Sequence, residues 1–410
     1  MFLCHKANIE RINEQHSQFS YHQLHNFISD SPWAHQPILD KLSQTAASTF
    51  NQEKDIGLHI DESGWRKKGK YSVGVGKQYC GNLGKTDNCQ VAVFAALSQN
   101  DYSALVDTRL YLPKSWTDDQ ARCDKAKIPE TERVFKTKLD LALEIITHQR
   151  EIGVNFTYVS LDAFYGSSIP FTQNLDDMGM EFIGDVRINQ KIYLNKPGLV
   201  LKEKKGRKGK QPTRLIPDQK PTTVGEYMDS LKEKDYKRFT IRNTAKRKLK
   251  VKAHAAKIYL YDQTKHIFVE RTLILRKNLN KKASPTIDYA FTNMSIKQIT
   301  LKQIIKRHAQ RYFIEHSFKE AKSTLGMHQF QTRKWQSWYH QVCINMLMVL
   351  FMMLQKIKSF KLFPILSAND IKLLVALAFK DFFDKRKTID MFYERYRKRQ
   401  IDINYCYVHT

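Results

Sequence analysis

The sequence predicts an α/β fold in which a mixed β-sheet is flanked by helices, carries an inserted β-rich subdomain and has helical N- and C-terminal segments. The first observation is that strand-like and helix-like runs alternate between residues 56 and 187. The second is that three later runs, between residues 238 and 276, alternate polar and apolar residues with the period of two that is typical of strands. The length of 410 residues suffices for two or three domains with a substantial core.

The order of the early elements predicts the topology of the sheet. We expect three strands at 56–61, 71–79 and 90–98, followed by a helix at 132–150. A strand at 156–162, a helix at 169–179 and a strand at 181–187 then follow. A crossover through a helix places the fourth strand parallel to an earlier strand of the same sheet. If the fourth strand lies beside the first, Asp61 and Asp162 become neighbours at one sheet edge. This is the ribonuclease-H-like order of elements.

Changes in composition divide the chain into five segments. The first two are a helical N-terminal segment at 1–50 and the first part of the core at 51–190. A basic linker with the β-rich insertion follows at 191–295, then the helical end of the core at 296–360 and a basic helical tail at 361–410. The run at 202–210 has the composition of a solvated linker, and contact with a DNA backbone is the alternative. Two further basic runs, at 246–252 and 395–399, could add non-specific affinity for DNA.

The charge of the chain indicates a polyanionic partner. Lys and Arg total 68 against 41 Asp and Glu, which gives a net charge of +27. Nucleic acid is the first candidate; an anionic membrane surface is the second, but the sequence shows no basic amphipathic helix beside an anchor. The apolar stretch 342–354 is too short to cross a bilayer and is expected to form a buried helix. Six cysteines without a CxxC pair argue against a zinc site and fit a reducing cytoplasm.

Two acidic residues follow predicted strands. Asp61 ends the apolar run at 56–61, and Asp162 ends the run at 156–162. Each alone is also compatible with an ordinary acidic residue that leads from a strand into a turn. Together with a third acid they could hold a pair of divalent cations, because hard cations prefer carboxylate oxygen ligands.

The third acid lies on a helical stretch with cations on the same face. His308, Arg311, Glu315 and Lys322 are spaced by three, four and seven residues, which places them on one side of a helix. Arginine offers a bidentate fork to a phosphate, and lysine a point charge. The alternative is an exposed helix with surface ion pairs, which contribute only tenths of a kcal/mol.

Four segments carry a resemblance to a known family. They are D-E-S-G-W-R-K-K-G-K from residue 61, R-L-Y-L-P-K-S-W from 109, L-D-A-F-Y-G from 161 and R-Y-F-I-E-H-S-F-K-E-A-K from 311. In these segments the chain resembles the DDE transposases of bacterial insertion sequences, in the branch with a β-strand insertion before the final Glu. The resemblance extends from about residue 20 to about residue 355. Relatives of this type have a longer helical DNA-binding region before the first Asp, which implies that the segment 1–50 could be a shortened form of that region.

The resemblance implies specific roles. The family's two Asp residues correspond to Asp61 and Asp162, and its late-helix pattern Y-x2-R-x3-E-x6-K selects Arg311, Glu315 and Lys322, while His308 stands in place of the Tyr. The three acids would be the catalytic residues and the ligands of two Mg²⁺ ions, with Mn²⁺ as a substitute. The other three side chains would contact DNA.

The implied activity is cleavage at terminal inverted repeats and joining of the 3′-hydroxyl ends to target DNA. The expected partners are double-stranded DNA and a second copy of the chain in the DNA-bound complex, in the bacterial cytoplasm and on the nucleoid when DNA is bound. Three alternatives stay open: a metal-dependent nuclease of the same fold, an inactive or truncated DNA-binding remnant, and a basic scaffold protein.

Overall fold

A computed structural model of the chain describes residues 8–15, 20–201, 215–243, 248–279, 286–363, 366–379 and a few positions between 393 and 401. The strands are β1 Gly57–Arg66, β2 Gly76–Cys80, β3 Lys85–Gln99, β4 Tyr102–Leu110, β5 Tyr158–Leu161, β6 Phe182–Asp185, β7 Lys191–Ile192, β8 Leu199–Leu201, β9 Leu215–Pro217, β10 Thr222–Thr223, β11 Lys237–Asn243, β12 Lys248–Asp262, β13 Ile267–Asn278 and β14 Ile287–Thr292. The helices are α1 Ile9–Gln15, α2 Tyr21–Ser29, α3 Gln36–Thr49, α4 Lys114–Thr117, α5 Gln120–Lys125, α6 Lys138–Glu151, α7 Ala163–Gly166, α8 Ile169–Asp177, α9 Val224–Ser230, α10 Leu301–Gln310, α11 Tyr312–Ser323, α12 Trp335–Lys358 and α13 Ala368–Ala378.

One ten-stranded mixed sheet organises the described chain. Its strand order is β11-β12-β13-β14-β6-β5-β1-β3-β2, with β4 also paired to β3. The pairs β1–β5 and β5–β6 are parallel, and the remaining pairs of this sheet are antiparallel. In β3 the residues from Cys89 to Gln99 are all buried, which is typical of a strand covered on both faces. The predicted mixed sheet flanked by helices is therefore confirmed.

The predicted neighbourhood of the first and fourth strands is also confirmed. In the parallel register of β1 and β5, Gly57 pairs with Tyr158 and Ile60 with Leu161. β1 nevertheless continues to Arg66 along β3, so Asp61 lies inside a strand rather than at its end. The prediction that β1 ends there was wrong because antiparallel pairing with β3 continues where the parallel pairing with β5 stops.

The predicted strand at 71–79 is shorter in the structure. Its first half forms a turn in which the Val75 amide donates to the Ser72 carbonyl and Gly74 has a φ of 72°. The Val73 amide donates to the carbonyl of Arg333, 3.1 Å away. Because these bonds tie the segment to a distant loop, it pairs with β3 only from Gly76 onwards.

The apolar stretch near residue 350 is part of the long helix α12. The helix has 24 residues and is long and apolar enough to cross a membrane, yet 56% of its most apolar window is buried inside the protein. It packs against β4, α2 and α3. The predicted buried helix is confirmed. The helix is long enough to cross a membrane, so its burial inside the protein, and not a short length, supports this interpretation.

The insertion is built of strands, as predicted, but the larger ones do not form a separate sheet. β11 to β14 extend the central sheet, because Ala290 of β14 pairs with Asp185 of β6. Two small two-stranded sheets, β7–β10 and β8–β9, complete it. The basic run 202–210 lies outside the described residues, whereas most of the run 246–252 is in β12.

Candidate functional site

Asp61 and Asp162 are brought together by the register of two parallel strands. Each directly follows a residue of the pair Ile60–Leu161. Asp162 is also the N-cap of α7, where its Oδ1 accepts the amides of Phe164 at 2.9 Å and Tyr165 at 3.2 Å. An N-cap carboxylate satisfies amides that the helix itself leaves unpaired, so local structure fixes the orientation of Asp162.

The two carboxylates repel each other in a half-buried place. Burial and then the charge of Asp162 raise the pKa of Asp61 to about 7, while the Arg311 guanidinium opposes this shift. Burial likewise raises the pKa of Asp162. Carboxylates with raised pKa values in a cluster are typical of functional sites. The nearby positive charge is therefore too small to stabilise both carboxylates in their ionised forms.

Arg311 is the cation that contacts the acidic cluster. Its Nη1 lies 3.5 Å from Oδ2 of Asp61, its Nη2 2.8 Å from Oε1 of Glu315, and its Nε 2.8 Å from Oδ2 of Asp185. It stands at the junction of α10 and α11, which the sequence predicts as one continuous helix. The break places the guanidinium between the helix and the ends of the parallel strands.

Glu315 is joined to the cluster through Arg311. Its side chain is 53% exposed, and its charge contributes to the raised pKa of Asp61. The nearby Glu320 instead pairs with Lys356 of α12, at 2.5 Å. The structure therefore brings Asp61, Asp162 and Glu315 around one guanidinium and directs Glu320 elsewhere.

Lys322 lies one step farther along β1. Its Nζ donates to the Gly64 carbonyl at 3.4 Å. Burial lowers the pKa of Lys322 to about 8, and the nearby carboxylate of Asp61 partly offsets this effect. The amine is therefore a half-buried cation close to the carboxylates, where an anionic ligand would stabilise it.

His308 does not have the position expected of a DNA contact. Its side chain is 2% exposed, and its Nε2 lies 2.5 Å from Oδ1 of Asp185. In this structure the helix turns His308 toward the sheet and away from solvent; its predicted contact with DNA stays a prediction. His308 and Asp185 instead support Arg311 from behind.

Sequence reasoning missed Asp185. It ends β6, the third parallel strand, directly beside β5. An acid at the end of a strand in a run of parallel strands was the signal that could have found it. Charge pairing with His308 and Arg311 lowers the pKa of Asp185 against the opposing effect of burial.

The acidic cluster has a suitable donor set for a divalent cation. Carboxylate oxygens are hard ligands of the kind that Mg²⁺ prefers, and the raised pKa of Asp61 indicates that added positive charge would be favourable. Within the described ranges, no three His, Cys, Asp or Glu side chains already have metal-ligand geometry. Glu315, held by Arg311, would have to turn toward a cation.

Comparison with known proteins adds independent information. A family model described as DDE superfamily endonuclease matches residues 3–248. The matched region includes Asp61 and Asp162 and ends before α10. DDE superfamily endonucleases generally depend on divalent metals. Together with the mixed sheet, this match confirms the predicted fold class.

A curated protein of Microchaete diplosiphon, described as a probable transposase for insertion sequence element IS701, is 30% identical to the chain over 177 residues. The alignment covers 42% of this chain and 42% of that protein. The similar region is thus less than half of either protein.

Proposed function

Since the chain belongs to the DDE superfamily endonucleases, we propose that it is the DNA transposase of an insertion sequence. It would cut at the terminal inverted repeats of the element and join the freed 3′-hydroxyl ends to target DNA. The observation that supports this best is the cluster in which Arg311 contacts both Asp61 and Glu315 while Asp162 lies beside Asp61. The similarity to a probable transposase points in the same direction.

Asp61, Asp162 and Glu315 would hold the divalent cations, two Mg²⁺ ions or Mn²⁺ in their place. When bound, such ions activate the attacking oxygen and stabilise the leaving oxygen of a phosphodiester. The rigid position of Asp162 at the start of α7 would fix one side of the site. The exposed Glu315 would adjust on the other side.

Arg311 would act on the DNA itself. In the structure its guanidinium neutralises carboxylates, and once cations take over that role its fork can bind phosphate oxygens. Its bond to Asp185 would keep it oriented. Lys322, held close by at the Gly64 carbonyl, would supply a second positive charge for the same strand.

The net charge of +27 fits binding of double-stranded DNA by salt-dependent backbone contacts. Because two ends of an element must meet for both to be joined, we infer that two copies of the chain act together on DNA. The protein would work in the bacterial cytoplasm and on the nucleoid.

The test uses the purified chain, a duplex that carries the terminal repeat next to this reading frame, and a supercoiled plasmid as target. With Mg²⁺ we expect cut ends and joined products, and with EDTA neither. Asp61→Asn and Glu315→Gln should each lower both rates by at least about a hundredfold, whereas the exposed control Glu151→Gln should not.

The outcomes separate the alternatives. Cut ends without joined products would indicate a nuclease of the same fold. DNA binding without cleavage in Mg²⁺ or Mn²⁺ would indicate an inactive remnant. Cleavage that survives both substitutions would show that the three acids are not the catalytic residues.

A further inference from the structure

A basic cavity lies beside the carboxylate site. It has a volume of about 650 Å³ and lies between the loop after β1 and the segment after α11. The Lys67 amine donates to the Phe330 carbonyl at 2.7 Å and joins the two segments. The side chains used below are Arg66, Lys67, Lys68, Tyr71, His328 and Arg333. We call this cavity the Tyr71 furrow.

The lining of the furrow is basic, although one of its cations, Arg66, pairs with Asp87 outside the lining, Nε to Oδ2 at 3.1 Å. None of the described residues that line it is Asp or Glu. Burial lowers the pKa of Lys67 to about 8, and its amine is bonded to a carbonyl rather than to a carboxylate. Burial, and then the charges of Lys322 and Lys67, lower the pKa of His328. An anionic ligand would stabilise the charged form of Lys67 and would favour protonation of His328.

An exposed aromatic ring stands at the mouth of the furrow. Tyr71 is 62% exposed. The Arg333 guanidinium lies 5.7 Å from the ring centroid and the Lys70 amine 5.8 Å. A second cavity shares Tyr71 and Arg333 and adds Arg122. An exposed ring among cations is the arrangement with which proteins stack unpaired bases and hold the adjoining phosphates.

The furrow is connected to the carboxylate site along one strand. Asp61 and the furrow residue Arg66 both belong to β1, and five residues of a strand span roughly 17 Å. Lys322 lies between them, bonded to the Gly64 carbonyl. Lys322 interacts both with Asp61 and with the furrow residue His328, so this amine links the acids to the furrow.

We propose that the Tyr71 furrow binds a single strand of DNA next to the carboxylate site, with Arg333 and Lys68 on phosphates and the Tyr71 ring stacked on a base. Stacking on the ring needs an unpaired base, so the ligand is a single strand rather than a continuous duplex. The proposal rests on the proposed function for the identity of the polymer as DNA.

The test measures binding in EDTA, where cleavage plays no part. Fluorescence anisotropy would give the affinity for a labelled oligodeoxythymidylate of about 15 nucleotides and for a blunt duplex of the same length. Both affinities are compared between the full chain and the double variant Tyr71→Ala/Arg333→Gln. The matched control is Tyr79→Ala/Arg150→Gln, at exposed positions outside the furrow. Tyr71→Phe keeps the ring and should bind as the unaltered chain does.

We expect the furrow variant to lose about tenfold in affinity for the single strand and less than about twofold for the duplex. The loss of one phosphate contact should also reduce the salt slope by about 0.7. Circular dichroism should show that the variant is folded, because both side chains are exposed. Unchanged single-strand affinity, or an equal loss for both DNAs, would overturn the proposal.

The same variants separate this proposal from the proposed function. A chain that fails to cut DNA with Mg²⁺ but shows the single-strand loss supports the furrow and contradicts the transposase. If the unaltered chain cuts and joins DNA but the furrow variant binds the single strand as tightly as the unaltered chain, the transposase is supported and the furrow is contradicted.

Discussion

Asp61 is the residue at which the requirements of folding and of the proposed chemistry oppose each other. Its half-buried carboxylate lies beside that of Asp162, and the two repel each other. A fold selected for stability alone would place apolar side chains there. The arrangement is understandable if the missing positive charge comes from bound cations.

The pH dependence of stability tests this electrostatic account. The pKa of Asp61 in the folded protein is about 7, against an ordinary value of 3.8. The folded state therefore binds the proton more tightly, and this stabilisation is present below about pH 4 and lost as the pH rises through 7. Asp61→Asn cannot titrate, so without metal it should become more stable than the wild type as the pH rises, by up to about 4 kcal/mol at pH 8.

Urea unfolding in EDTA at pH 4, 6 and 8 would measure the difference. The control is Asp177→Asn, an exposed acid at the end of α8, which should show no such trend. Equal pH profiles for Asp61→Asn and the wild type would show that the carboxylates do not repel each other as inferred.

Arg311 is predicted to stabilise the folded protein in the absence of metal. Its guanidinium contacts Asp61, Asp185 and Glu315, so Arg311→Met would remove this counter-ion from the half-buried Asp61 and Asp185. We expect a loss of about 3 kcal/mol in the free energy of unfolding, and a larger rise in Tm on addition of Mg²⁺ than the wild type shows. Thermal melts with and without Mg²⁺ would measure both, with the exposed Arg238→Met as control. A loss below about 1 kcal/mol would contradict this role.

At the scale of elements, the short helix α7 determines where its N-cap residue Asp162 lies. The close packing of α7 on β6 fixes the position of the helix. A Cβ on Gly166 would lie 2.4 Å from the Asp185 carbonyl oxygen and 2.8 Å from Cα of Gly184. Real Cβ atoms do not approach backbone so closely, so the helix and the strand depend on glycine at their contact. The same contact sets the separation of Asp162 and Asp185.

Gly166→Ala should therefore destabilise the protein by about 2–3 kcal/mol, because backbone has to move to admit the methyl group. It should also lower DNA cleavage more than the loss of folded protein accounts for, since α7 would shift with its N-cap Asp162. Gly81→Ala is the matched control, because a Cβ there meets nothing within 4 Å. Urea unfolding and cleavage at a temperature where both variants are folded would decide; equal effects at the two positions would refute the close contact.

Which elements could be predicted from the sequence depends on how local their signals are. Strand patterns and the crossover rule make β5 parallel to an earlier strand such as β1, and the resemblance to the family's late-helix pattern favours Glu315 over Glu320. The break of the helix at Arg311, the burial of His308 and the contribution of Asp185 depend on contacts between distant segments. Periodicity contains no information on such contacts, which is why these features were missed.

At the scale of the whole molecule, the insertion and the core share one sheet. The pairing of β14 with β6 continues the core strands into β13, β12 and β11. Composition changes near residue 191 suggested a separate subdomain, since they report on the chain and not on strand pairing. Arg271 of β13 also pairs with Asp176 of α8, at 2.5 Å, so side chains as well as backbone join the two parts.

A shared sheet predicts that the insertion and the core unfold together. The five Trp residues lie at 33, 65, 116, 335 and 338, all outside the insertion, so Trp fluorescence reports on the core. Ile267→Cys, at a 42% exposed position of β13, labelled with an environment-sensitive dye, would report on the insertion. Because breaking the β14–β6 pairing exposes backbone groups of both parts, the two probes should give the same urea midpoint. Labelled Tyr79→Cys, in β2 of the core, controls for effects of the dye. A transition of the β13 probe at a clearly lower urea concentration would mean that the insertion unfolds alone in spite of the continuous sheet.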